Sequence, residues 1–238
     1  MLFRSQARLE RALSQSRIPG VQHIVLNRRQ TLFEYVGGCA DLQNQKPMTL
    51  ETTLMAYSMS KTITAAATLQ LAERGRIDLD ESIDTYLDES PYGAAVRVRH
   101  LLSHTSGIPN PIPLRWVHLA EGHSAFDERR ALQKVLKRHP RLRFQPGMRF
   151  LYSNIAYWLL GEIVATVSAQ PFQSYVRDHL ISPLRIGANE MGYAIPDLGN
   201  HAKGYLEKYS FVNLLKGFVT DRELWVSLAH EMTASIST

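Results

Sequence analysis

Cysteine is almost missing from this 238-residue sequence: Cys39 stands alone, so no intrachain disulfide can brace the fold. Set in the run Gly37-Gly38-Cys39-Ala40, it reads as a small buried apolar residue. Long apolar runs are missing too, which excludes a membrane-spanning helix. The first twenty residues are interrupted by Arg4, Arg8, Glu10, Arg11 and Arg17, so they contain no apolar core of a secretory signal, and the chain as written is expected to be cytoplasmic by default. There is no low-complexity tract. With 45% hydrophobic, 21% charged and 9% aromatic residues, the composition excludes a disordered chain and predicts ordinary globular folding. Acidic residues fall short of basic ones, 22 against 27, which leaves a formal net charge of +5. Much of the excess lies between Arg129 and Arg149, and no nucleic-acid-binding module accompanies it. The cluster therefore reads as a solvated helix face, and no nucleic acid is expected as a partner.

What is present is a chain long enough for one sizeable core, either a single domain or a domain with an inserted part. Leu2, Leu9 and Leu13 predict an N-terminal amphipathic helix that Pro19-Gly20 ends. Val21 to Arg28 and Thr31 to Ala40 are rich in β-branched and aromatic residues around a short polar link, the pattern of a hairpin. Residues 41–57 read as a loop. From Ser58 to Arg74 the apolar spacing becomes helical and nearly all-round, which predicts a buried helix ended by Gly75. Further helices are predicted at about 80–88, 96–104, 127–138, 154–169 and 171–180; the stripe Ile155, Leu159, Ile163, Val167 marks the fourth of them. Residues 205–238 read as helix or loop.

Strands first and helices afterwards give an α/β arrangement, in which a terminal hairpin needs more strands to make a stable sheet. The chain hardly provides them, so an incomplete single domain is expected: helix and hairpin in 1–57, a mainly helical part in 58–204 and a divergent tail in 205–238.

Ser58 and Lys61 are the first candidates for chemistry. A serine hydroxyl becomes a nucleophile only with a base beside it and a source of oxyanion stabilisation. Three residues along a helix is nearly one turn, which brings the Lys61 amine to the Ser58 hydroxyl, and a helix start supplies free N–H groups and partial positive charge that favour an alkoxide. The Ser-x-x-Lys spacing occurs once in the chain. The plainer alternative is a serine N-cap followed by a solvated lysine. Tyr152-Ser153-Asn154 is the second constellation: a tyrosine near a lysine can relay a proton, and an asparagine amide can both donate to and accept from a substrate. Its plainer alternative is a helix cap beside a packing aromatic. His100 and His104 have the i, i+4 spacing of a zinc pair, but no glutamate lies between them and no third ligand is evident, so no metal is expected.

Taken in order, Ser58-x-x-Lys61, Leu101-Leu102-Ser103-His104-Thr105-Ser106-Gly107-Ile108 and Phe144-x-Pro146-Gly147-x-x-Phe150-x-Tyr152-Ser153-Asn154 resemble the class C β-lactamase-related serine hydrolases, which include D-alanyl-D-alanine carboxypeptidases and esterases. Ser-Asp-Asn is the second motif of the class A branch, whereas Tyr-Ser-Asn is that of class C. The resemblance runs from about residue 15 to about residue 205 and implies a β-lactamase/transpeptidase-like fold and a family often exported. It also implies that Ser58 is acylated by an ester, amide or β-lactam substrate, small molecule or peptide. Lys61 and Tyr152 would share the acid and base work, Asn154 would orient the substrate, and the Ser58 backbone N–H would form half of an oxyanion hole. No cofactor or metal is implied, and the oligomeric state stays open. Gly107 is expected to supply a backbone conformation that other residues resist.

The family's third motif, Lys-Thr-Gly or His-x-Gly on a strand facing the nucleophile, does not occur in a suitable setting after Tyr152; Arg185-Ile186-Gly187 falls in a family loop instead. By resemblance that strand gives the second oxyanion donor, a contribution of about 10²–10³ in rate. Its absence keeps a rival reading open, a non-catalytic binding module of the same fold with Ser58 as cap and Lys61 as surface charge.

Overall fold

The β-branched and aromatic residues on either side of Asn27-Arg28-Arg29-Gln30 form the hairpin their composition predicts: β1 (Gly20–Leu26) pairs antiparallel with β2 (Thr31–Asp41). Gly20 lies opposite Gly38 and Val25 opposite Phe33, with one irregularity at Val25/Leu26. In this computed structural model, which describes residues 2–15, 18–88, 90–111, 125–195 and 197–205, contacts divide the described chain into two units. One comprises residues up to 55 together with 194–205, the other residues 56–193.

In the first unit the hairpin turn is closed by Asn27, whose Oδ1 accepts the N–H groups of Arg29 (2.8 Å) and Gln30 (2.9 Å). Gly38 has φ +79°, and a Cβ there would collide with the Pro19 carbonyl. Helix α1 (Leu2–Ser14) lies against β2. The loop expected over 41–57 contains a two-residue strand, β3 (Lys46–Pro47), which joins the other edge of β2. Cys39 is half-buried rather than buried: strand neighbours point to opposite faces, and the enclosed position is taken by Ala40. Asp41 is the charged residue enclosed here, 6% exposed. Its carboxylate accepts from Lys203 Nζ at 2.7 Å and from Asn44 Nδ2 at 2.7 Å, and Tyr205 Oη stands 3.3 Å away. The Lys203 ammonium holds the carboxyl well below the usual carboxylate range, and Asp41 in turn raises Lys203.

The second unit is built round α5 (Asn154–Ser168), whose Ile155, Leu160, Ile163 and Val164 are fully buried. It packs against α2 (Ser60–Glu73), α3 (Val98–Leu102) and α6 (Phe172–Val176). Leu132 and Leu136 of α4 (Glu128–Arg138) join the same core, while Arg129, Arg130, Lys134, Lys137 and Arg138 are exposed, the solvated face expected of them. Ser153 caps α5, its Oγ accepting from Ala156 N at 3.2 Å, and Ala169 ends it in the left-handed region.

Several predicted helices change form. Ser58 precedes α2, in a 3₁₀ turn over Tyr57–Met59, and α2 is buried only along Thr64, Ala67, Thr68 and Leu71, with Leu69 exposed. Residues 80–88 hold a 3₁₀ turn at Ile83–Thr85, where Ser82 Oγ accepts from Asp84 N; short polar side chains compete here with helix growth. The 96–104 helix stops at Leu102, and α6 runs on into a π turn at Arg177–Ile181. Gly107 has φ +76°, and a Cβ would meet the Phe144 carbonyl, as its expected role requires. No helix among the described residues is long and apolar enough to cross a membrane. The helix-or-loop expectation beyond Tyr205 lies outside the described residues.

Candidate active site

Ser58 is exposed in its 3₁₀ turn, and the residue before it, Tyr57, has φ +43°. A left-handed aromatic is a strained position, and strain of this kind gathers at functional sites. The Ser58 Oγ lies 2.6 Å from Tyr152 Oη, a short hydroxyl–hydroxyl bond, and accepts from Lys61 Nζ at 3.3 Å. Lys61 Nζ also faces two rings, 5.1 Å from the centroid of Tyr152 and 5.7 Å from that of Tyr157. Three of the four residues singled out from the sequence thus meet at one hydroxyl.

Ser58 is not the residue that caps α2. Met59 occupies the N-cap of α2 and no side chain caps it, while the Ser58 hydroxyl is turned to Tyr152 and the half-buried Lys61 lies over aromatic rings. Asn154 opens α5, and its backbone N–H donates to Asn110 Oδ1 at 3.0 Å. Its side-chain amide has no hydrogen bond to the other three among the described residues.

The walls of the site come from residues that the sequence did not mark as part of it: Tyr157, Asn110 and His104, the last weighed only as half of a zinc pair. Tyr157, on α5, donates its hydroxyl to Leu102 O at 3.0 Å; burial and then the neighbouring Tyr152 push its phenol up. The His104 ring lies 4.5 Å from that of Tyr152 and 4.9 Å from that of Tyr157, and its Nδ1 accepts from Ser153 N at 3.2 Å. Burial and then the Lys61 charge lower its pKa below the ordinary histidine value, so at neutral pH it is an uncharged ring. The one signal that could have found it was the motif around it, Leu101 to Ile108. Asn110 carried no signal beyond its place after Pro109.

His100 and His104 do not form a helical pair, because α3 ends between them and His104 turns left-handed with φ +55°. Their Nδ1 atoms accept from Arg97 N and Ser153 N respectively. Among the described residues no three His, Cys, Asp or Glu side chains are grouped to hold a metal ion.

Comparison with known proteins gives a consistent picture. Residues 6–222 match the family described as Beta-lactamase. Protein flp of Staphylococcus aureus (strain MW2) is 26% identical over 183 residues, which are 75% of this chain and 36% of flp. The putative penicillin-binding protein PbpX of Bacillus subtilis (strain 168) is 30% identical over 132 residues, 56% of this chain and 31% of that protein. Among solved structures, D-amino acid amidase from Ochrobactrum anthropi SV3, complexed with D-phenylalanine, is similar with a TM-score of 0.73 and 25% identity over 87% of this chain and 56% of that one. The chain therefore spans 36% and 31% of the lengths of these two curated relatives.

Proposed function

The chain belongs to the beta-lactamase family and has its β-lactamase/transpeptidase-like fold, and from that premise we propose that it is a serine hydrolase in which Ser58 forms an acyl-enzyme with an ester, amide or β-lactam. The observation that carries this is the convergence of Tyr152 Oη and Lys61 Nζ on the Ser58 Oγ.

Attack of Oγ on a carbonyl carbon requires its proton to leave as the new C–O bond forms. Tyr152, at 2.6 Å, receives that proton and passes one on to the departing nitrogen or oxygen, so that the hydroxyl keeps its proton count through the step. The Lys61 ammonium stabilises negative charge passing along this relay. Water then attacks the acyl carbonyl through the same relay in reverse and releases the acid. The Ser58 backbone N–H, which meets no backbone acceptor among the described residues, serves as a donor to the developing oxyanion. Asn154, at the first position of α5, orients the amide or ester of the substrate.

The names of the relatives support the substrate class: one is a putative penicillin-binding protein and one an amidase of D-amino acids. Incubation with a fluorophosphonate or a labelled penicillin, followed by peptide mass spectrometry, tests the proposal. An adduct on the peptide carrying Ser58, absent in Ser58→Ala, is expected. Folded protein that carries no adduct with either reagent overturns it.

A further inference from the structure

His104 has an unusual hold on the segment that carries Tyr152. Its carbonyl accepts from Leu151 N at 2.8 Å, and its Nδ1 accepts from Ser153 N at 3.2 Å. One residue therefore grips both chain neighbours of Tyr152 and also lays its ring on the tyrosine ring, 4.5 Å between centroids and tilted by 36°. His104 makes both grips from a backbone at φ +55°, a conformation uncommon for non-glycine residues. The other end of the held segment is fixed as well, by Asn110 Oδ1 accepting from Asn154 N and by Ser153 Oγ donating to the Pro109 carbonyl.

Resting on the relay proposed for Ser58, we infer that His104 is the positioning residue for Tyr152, and that it holds the phenol on the serine only as a neutral imidazole with its proton on Nε2. Nδ1 accepts the Ser153 N–H, so it must be free of a proton. A second proton would remove that acceptor, orphan the Ser153 N–H and place a positive charge beside Lys61. The titratable groups that face the ring are Lys61 from α2, Tyr152 from the held segment and Tyr157 from α5; no carboxylate among the described residues stabilises an imidazolium there. Acidification therefore loosens Tyr152 from Ser58 before it unfolds the unit.

Two substitutions separate the parts of this role. In His104→Asn the amide Oδ1 occupies the place of Nδ1, and asparagine tolerates the left-handed backbone, so the grip on Ser153 is kept while the ring and its titration are lost. In His104→Gly the backbone is unstrained and both ring and acceptor are gone.

The test follows the rate of Ser58 labelling by a fluorophosphonate from pH 5 to 8, with long-range proton–nitrogen NMR of the histidine rings and the Ser153 amide resonance. The wild type should show the Nε2–H tautomer at neutral pH and a labelling step below the ordinary histidine range that tracks the Ser153 amide. His104→Gly should label roughly 10- to 100-fold more slowly, the cost of a catalytic group misplaced by about 1 Å. His104→Asn should recover much of that rate and lack the step. An Nδ1–H tautomer, or an unchanged step in His104→Asn, overturns the inference. If Ser58 is inert in the wild type, the relay fails and the Ser153 amide still decides. Its titration with His104, abolished in His104→Asn, upholds the grip, and an amide that does not move refutes it.

Discussion

The two units are held together by different physics. In the helical unit, Ile83, Val96, Val98, Leu101, Ile108, Ile155, Leu160 and Ile163 have no exposed surface, and most of its cohesion is apolar packing. In the hairpin unit no described residue is so fully enclosed, Ala40 coming nearest at 1% exposed, and Ile24 and Leu26 on β1 are 48% and 68% exposed. Its order comes from ladder hydrogen bonds and polar clamps: Asn27 across the turn, Gln22 Nε2 to the carbonyls of Thr49 and Thr52, and Lys203 and Tyr205 on Asp41. Ser58, proposed as the nucleophile, lies with Lys61 and Tyr152 in the unit with the packed core. Groups that meet at hydrogen-bonding distance are here placed on or beside helices anchored in that core, α2 and α5.

The contrast can be broken from either side. The largest effect is expected for Leu160→Ala, which empties a fully enclosed position of α5 and should cost about 2–5 kcal/mol in urea unfolding, with Ser58 labelling lost at lower denaturant than in the wild type. Gly107→Ala should cost about 1–3 kcal/mol, because the backbone is left-handed there and the added methyl meets the Phe144 carbonyl.

Asp41→Asn should act on the hairpin unit and leave Ser58 labelling at its wild-type rate. Hydrogen exchange of the Leu42 and Lys203 amides is the measure. The sign with pH follows from the direction of the shift: a carboxyl held below its usual range stabilises the folded state above that range and loses the contribution as pH falls through the lowered value. Wild-type protection should therefore persist down to about pH 4 and decline below it, whereas Asp41→Asn is weakened throughout. The smallest effect is expected for Ile24→Thr, within about 0.5 kcal/mol by thermal or urea unfolding, since the side chain is already in water and threonine suits a strand. A cost as large as that of Leu160→Ala would show that Ile24 is covered in solution.

Elements whose pattern is local were legible from residues alone. β1 and β2 are rich in β-branched and aromatic residues, α5 has an apolar stripe with a serine before it, and α4 carries a charged face opposite Leu132 and Leu136. Features set by distant partners were not. β3 consists of a lysine and a proline, a poor strand sequence, and exists because Cys39 and Asp41 offer it an edge. The helix expected from Ser58 begins two residues later, after a 3₁₀ turn, and the left-handed Tyr57 that precedes Ser58 has no signature in the amino-acid order. Ser58, Lys61 and Tyr152 could be singled out because reactivity restricts residue type. His104 read as architecture or half a zinc pair, since its partner, Ser153, is 49 positions away.

The bond between Ser58 and Tyr152 spans 94 positions, whereas that between Ser58 and Lys61 spans three. On a ribosome adding about 5–20 residues per second, the serine and lysine precede their tyrosine by roughly 5–20 s. Through that interval the growing chain carries the hydroxyl without the group proposed to take its proton. The order of the residues along the chain thus makes the proposed nucleophile wait for its tyrosine, which arrives just ahead of α5.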